Sequence, residues 1–334
     1  MSVVEEAWKS LRGEDRTEAG WHLRRIHPDA PCEIFAGIHR PNGTPGLIVE
    51  VEASQVPSSI RISKSAGFQI ETVLLGHSHT GRVRFALSLA HIAYSAVFAV
   101  LCTDTADVAA SRIDAGSALF AFIGRLQVWQ AFMARHGPDG LSEAGMIGLM
   151  GELYILADYL APLIGIERAL AAWAGPRGEP NDFSLASGYL EIKTTALQAP
   201  DSISISNAAQ LDIARGRILL GHLRFRQVPE GATLPELVER IRSKLATEAP
   251  SVLPEFTALL LAVGYVEAHR ENYVLHLEPD GLQLFEVTED FPHIALGDLR
   301  AGVRDCSYNI DLRACATWAV SGSTLATIVG LAHG

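Results

Sequence analysis

The segment Pro180–Thr195, PNDFSLASGYLEIKTT, narrows the fold more than any other stretch. Its end, YLEIKTT, alternates as a strand does: Leu190, Ile192 and Thr194 point to one face, while Glu191 and Lys193 lie side by side on the other. Asp182 opens a preceding short strand, DFSL, and the tight connection at Ala186–Gly188 folds the two strands into a hairpin that brings Asp182 toward Glu191. Upstream, GLMGELYIL at 148–156 is a strongly apolar helical pattern interrupted by Glu152. Its Gly148 and Gly151 would let the helix approach another backbone closely, at a cost in helix propensity. Isolated charges are costly to bury unless they are paired or hold a metal, so four charged groups in two apolar settings point to one shared site.

Periodicity divides the chain around that site. Residues 1–90 alternate short apolar runs with Gly, Pro and Asn turns (CEIFAGIH, LIVEVE, SSIRIS, FQIETVLL, GRVRFALSL) and read as a small antiparallel meander. From 91 the period becomes helical. Leu119, Phe122, Ile123, Leu126, Trp129 and Met133 share a face, Ser142 and Glu143 start a helix that runs to about Pro162, and a short helix covers Ile166–Trp173. Strands return between Asn181 and Arg226 (DFSL, YLEIKTT, SISIS, GRILLGHLRF). Two helices, LPELVERIRSKLA and LPEFTALLLAVGY, and two strands, NYVLHLE and LQLFEV, follow. The reading is an α/β (α+β mixed) chain with a β-rich part at 1–90, a core at 91–230 and a mixed α/β region at 231–334. A length of 334 residues at 48% hydrophobic composition is enough to bury such cores.

The N-terminal residues have neither the basic start nor the apolar run of a signal peptide, and no uninterrupted apolar run reaches spanning length, so the expectation is a cytoplasmic protein with no membrane partner. Cys32, Cys102, Cys306 and Cys315 lack CxxC spacing and read as reduced structural residues. The net charge of −11 repels nucleic acid overall, so any such binding needs a local basic surface or a partner's. The chain shows no Walker loop, GxSxG elbow or GxGxxG after a strand, which removes NTPases, α/β-hydrolases and nicotinamide enzymes.

Two carboxylates on one hairpin suit Mg²⁺, with Mn²⁺ as a substitute. Magnesium favours oxygen ligands and keeps several waters, so Asp182, Glu191, the backbone carbonyl of Ile192 and a phosphate oxygen make a plausible set, with Glu152 reaching in from the helix. Lys193 is placed to orient the attacking water. Only Lys9, Lys64, Lys193 and Lys244 are lysine among the 27 basic residues. A lysine kept against that bias suits a site needing a compact ammonium of tunable pKa. The plain alternative is a salt bridge in which Lys193 neutralises Asp182 and Glu191. Gln210 is the functional candidate in SISISNAAQLD, where Ser206 or Asn207 reads as an N-cap. Arg215, Arg217, Arg224 and Arg226 are either phosphate contacts or charges decorating a strand edge. His77 and His79 have metal-ligand spacing but no third ligand, and read as a turn.

The order Glu152 on a helix, Asp182 on a strand and Glu191-x-Lys193 on the next resembles the PD-(D/E)xK nuclease superfamily. GLMGELYIL, WAGP at Trp173–Pro176, NDF, LEIKTT, ISISNAAQLD, LFEVTEDFP and VRDCSYNIDL together resemble the bacterial family known as PD-(D/E)xK motif proteins, found near phage-defence and restriction genes. The literal Pro-Asp pair is absent, because Asn181 stands between Pro180 and Asp182. The resemblance implies a restriction-endonuclease-like central sheet flanked by helices, and a Mg²⁺-dependent endonuclease acting on DNA. It also implies Glu152, Asp182, Glu191 and Lys193 as active-site residues, Gln210 as an accessory, and other defence-system proteins or a second copy as partners. A non-catalytic scaffold that binds a partner through the same fold is the alternative.

Overall fold

The computed structural model describes residues 2–15, 18–57, 65–76, 81–196, 202–304 and 306–330. They pack into two compact units divided between Gly140 and Leu141. The boundaries at 90 and 230 drawn from periodicity fall inside these units, because the helices after 90 cover the N-terminal sheet and the strands after 230 complete the second sheet.

In the first unit, α1 (Val3–Arg12) precedes a five-stranded sheet of β1 (Gly20–Ile26), β2 (Glu33–Arg40), β3 (Thr44–Glu52), β4 (Phe68–Leu75) and β5 (Arg82–Leu89). It is antiparallel throughout, in the order β1-β2-β3-β5-β4. The expected antiparallel sheet is present, with α1 and β1 added to it, but it is not a simple meander, because β5 inserts between β3 and β4. The SSIRIS segment, Lys64, His77 and His79 lie outside the described residues. Two helices follow, α2 (Ser95–Ala110) and α3 (Ala115–His136). Phe98, Leu101 and Phe122 are fully buried, as are Ile38, Leu47 and Phe85 of the strands.

The second unit opens with α4 (Glu143–Tyr154), whose N-cap Ser142 accepts from Gly145 N–H as the sequence pattern requires. The helix runs on through a π turn, Ile155–Leu160, into α5 (Ala161–Ile164), and α6 (Ile166–Ala172) follows. Then come β6 (Phe183–Leu185), β7 (Gly188–Thr195), β8 (Ser202–Ile205), β9 (Ile218–Ala232), α7 (Leu234–Glu248), α8 (Leu253–Val263), β10 (Leu277–Val287), β11 (Tyr308–Asp311), β12 (Ala319–Val320) and α9 (Gly322–Ile328). The main sheet has the order β12-β10-β9-β7-β6, with β7 and β9 parallel; β8 and β11 form a separate pair. Both faces of the main sheet are buried. Leu190, Ile192, Leu219 and Leu223 join the helix-covered core, while Ile218, Leu220 and Phe285 join a smaller core with Ile203, Ile205 and Ile310.

Two sequence expectations change here. NYVL is not strand: Tyr273 turns into the core, stacks on Tyr265 and accepts from Leu141 N–H, so β10 starts only at Leu277. Ile92–Ala110 and Glu143–Ile164 do have the length and hydropathy of a membrane span, although no uninterrupted apolar run is visible. In this structure their apolar residues supply the cores of the two units.

Candidate active site

The β6–β7 hairpin forms as the sequence pattern requires, with Phe183 opposite Leu190 and Leu185 opposite Gly188. Gly188 has φ +155°, and a Cβ there would sit 2.4 Å from the carbonyl of Arg217, so this corner admits only glycine. Extending the register by one step sets Asp182 opposite Glu191. Because β6 is only three residues long, β7 has no strand partner on that side beyond Leu190. Asp182 Oδ2 takes the vacant position and accepts from Ile192 N–H at 2.7 Å. In an extended chain a residue's N–H and C=O point to the same edge, so the Ile192 carbonyl faces the side of β7 that Asp182 occupies.

Glu152 arrives from the other direction. At Gly151 a Cβ would lie 1.9 Å from Thr194 Cγ2, so the missing side chain is what lets α4 settle on β7. The approach is to a side chain rather than a backbone, and Gly148 plays no such part, having nothing within 4 Å of its Cβ position. Trp173, fully buried, donates its indole N–H to Glu152 Oε2 at 2.7 Å. A Cβ on Gly175 would stand 3.4 Å from Asp182 Oδ1 and 3.7 Å from Glu152 Oε2, so this glycine keeps open a space bordered by both carboxylates.

Lys193 Nζ lies 2.8 Å from Glu191 Oε1. That ion pair is the contact that meets Oε1. Nζ also donates to Gln210 Oε1 at 3.1 Å, and that oxygen accepts in addition from Ser206 N–H and Oγ–H at 3.1 Å each. Gln210 therefore sits where it can position the lysine. Of the two residues read as N-caps, Asn207 is the cap, accepting from Ala209 N–H; Ser206 is not, because its polar groups are turned to Gln210.

Sequence reasoning treated Asn181 only as the residue that interrupts the Pro-Asp pair. It is 1% exposed, and its Nδ2 donates to the Gln210 carbonyl (2.6 Å) and to Glu191 Oε2 (3.4 Å), while its Oδ1 accepts from Arg215 Nη1 (2.7 Å). No spacing rule links 181, 191, 210 and 215. The only sequence sign was an amide beside the acidic residue in an apolar setting.

Burial is the dominant influence on the three carboxyls. It pushes Glu191 up to about 8, reinforced by the nearby Asp182 charge and opposed by Lys193. It pushes Asp182 up to about 6 against the pull of Ile192 N–H and Lys193. Glu152 is raised well above the carboxylate range, again by burial first and by Asp182 second, with the Trp173 hydrogen bond opposing. One ammonium does not balance three carboxylates.

Among the described residues, no three His, Cys, Asp or Glu side chains converge as a ready-made metal cluster. The donors still fit a hard divalent cation that retains water: the buried carboxyl of Glu191, the carboxylate of Asp182, a carbonyl on the same edge, and a gap kept clear by Gly175.

A model of the family described as "Putative PD-(D/E)XK family member (DUF4420)" matches residues 4–313. The chain belongs to this family. Neither the curated proteins nor the solved structures contain a match. The mixed α/β architecture is consistent with a restriction-endonuclease-like PD-(D/E)XK fold.

The four arginines of the central region separate. Arg217 pairs with Glu286, Arg224 with Asp280 and Arg226 with Glu278, all across β9 and β10. Arg224 sits where β9 is paired on both sides, with β7 and β10, whereas Arg226 lies beyond the last β7 partner. Arg215 is different: it lies beside the carboxylate site, bonded to Asn181, with its guanidinium 4.7 Å from the centre of the Tyr189 ring.

Proposed function

We propose that this protein is a divalent-metal-dependent nuclease that hydrolyses phosphodiester bonds in DNA, serving a restriction or phage-defence system in the cytoplasm. It would act alone or within an assembly that includes defence partners or a second copy. The observation that carries this reading is the crowding of three buried carboxyl groups, Glu152, Asp182 and Glu191, beside a single ammonium, a set that holds its protons more tightly than usual and that a bound cation would let ionise.

Asp182, Glu191 and the Ile192 carbonyl, assisted by Glu152, would hold Mg²⁺ or Mn²⁺. When bound, the ion supplies a Lewis acid for the phosphoryl oxygen and lowers the pKa of water. The chain's own residues do the rest. Lys193 Nζ, steadied by Gln210 and Glu191, orients the attacking water and offsets negative charge developing on the phosphoryl group. Trp173 holds Glu152 Oε2 in place, and Ile192 N–H does the same for Asp182 Oδ2. In the balanced reaction the water oxygen bonds to phosphorus, one bridging oxygen departs, and a proton passes from the water to the leaving group.

The test is cleavage of DNA by the purified protein with Mg²⁺ or Mn²⁺, with any required partners present, compared with Lys193→Ala. The reading predicts cleavage that the variant loses. It fails if no nucleic acid is cut by wild type and spared by Lys193→Ala. The lack of a preformed three-ligand cluster favours one other reading, a non-catalytic scaffold that binds a partner protein. That scaffold would bind no metal with or without DNA.

A further inference from the structure

We infer that Arg215 is a seat for one phosphate group of the polynucleotide substrate, and that Glu179 occupies this seat when substrate is absent; the inference rests on the nuclease reading. Arg215 is held on two sides already. Its guanidinium lies over the Tyr189 ring, and Nη1 donates to Asn181 Oδ1 at 2.7 Å. Those contacts fix the plane and direction of the fork, which lowers the entropy lost when an anion binds.

The remaining partner is different in kind. Nη2 reaches Glu179 Oε2 at 3.4 Å, and the Glu179 side chain is 57% exposed against 24% for Arg215. Such a long, solvated ion pair contributes little, so a carboxylate held this way is readily exchanged for a phosphate, which accepts charge-assisted hydrogen bonds from the same fork. Glu179 lies just after Gly178, whose φ is +86°, and just before Pro180, in the short connection between the Trp173 segment and Asp182. The seat also adjoins the carboxylate site through a single side chain: the amide that accepts from Arg215 donates to Glu191 and to the Gln210 carbonyl. A phosphate on Arg215 is thereby held one side chain away from the groups that would perform the hydrolysis. What sets Arg215 apart from Arg217, Arg224 and Arg226, whose acidic partners lie on β10, is its bond to Asn181 at the carboxylate site.

The experiment is fluorescence anisotropy of a short labelled DNA duplex, without divalent metal, against wild type, Glu179→Gln, Arg215→Lys and Arg215→Gln. Glu248→Gln, an exposed acid away from the seat, measures what removing one negative charge does by itself. The seat predicts a severalfold tighter complex for Glu179→Gln than for Glu248→Gln. It also predicts roughly tenfold weaker binding for Arg215→Gln, with the slope of log affinity against log salt reduced by about 1, and an intermediate value for Arg215→Lys. Glu179 is exposed, so its variant keeps the fold even if Arg215→Gln does not. Equal gains in the two glutamine variants of acids, or affinities unchanged or absent in every protein, overturn the assignment. Mn²⁺ titration of wild type against Asp182→Ala runs in parallel, and a missing difference there marks failure of the nuclease reading itself.

Discussion

Each unit of this chain places acidic groups in a sheet, and they are treated in opposite ways. In the first, Glu50 is 4% exposed and is met by two guanidinium groups: Arg84 Nη2 lies 2.7 Å from its Oε1 and Arg82 Nη1 3.9 Å from its Oε2, with Arg82 also bonded to Glu33. In the second, Glu191 is 1% exposed and has one ammonium, which is shared with Gln210 and sits near two more carboxylates. A cluster that serves the fold is supplied with its counter-charges by the chain itself. The site cluster has one ammonium for three carboxyls, and that difference is what the metal reading rests on.

The largest expected effect is on chemistry. Lys193→Ala should lower DNA cleavage by at least ~100-fold, the scale of losing a positioned proton-handling or charge-stabilising group, while single-turnover assays at saturating Mn²⁺ check that metal binding persists. Breaking the ion pairs of Glu50 should instead harm the fold. Arg84→Ala should destabilise the first unit by about 2–3 kcal/mol in urea unfolding, less than for a fully buried pair because Arg84 keeps a quarter of its side chain exposed, and should leave cleavage intact. Gly151→Ala should cost about 1–3 kcal/mol through overpacking against Thr194 and should recover when paired with Thr194→Ser, which removes the methyl in conflict.

The sharpest contrast is in sign. Glu50→Gln should lower stability, whereas Glu191→Gln, measured in chelator at pH 8, should raise the thermal midpoint by about 3 °C because it removes an uncompensated buried charge. The pH dependence follows from the same imbalance. Glu191 at about 8 and Asp182 at about 6 lie above their unfolded values, so the folded state holds protons that the unfolded chain releases. Metal-free protein should therefore lose stability as pH rises from the ordinary carboxylate range through 6 and on to 8, and calorimetric scans should show added Mn²⁺ restoring most of that loss at the upper end.

Much of this was legible in the sequence because it is local. Alternation in YLEIKTT, the Ala186–Gly188 connection and Ser142 before an apolar helix each depend on neighbours a few residues apart; they build the hairpin of Asp182, Glu191 and Lys193 and the helix of Glu152, and it is the cost of burying charge that joins the two. What escaped depends on distant partners. Asn181 acquires its role only when Gln210 and Arg215 come to it. NYVL has a strand-like pattern, yet Tyr265 and Leu141 draw Tyr273 out of the sheet. The arginines between 215 and 226 look alike in sequence, and only the distant acids of β10 and the amide of Asn181 separate three of them from Arg215.

Isothermal titration of Mn²⁺ into wild type and Asp182→Ala tests the missing-charge account most directly, since it requires neither substrate nor partner. Run at pH 7 in buffers of differing ionisation enthalpy, the wild-type titration should show saturable binding with release of protons from the raised carboxyls, and Asp182→Ala should lose it. Wild type that binds no Mn²⁺ even with DNA supplied, or that binds no better than the variant, would contradict the account and leave the four residues as a structural charge cluster.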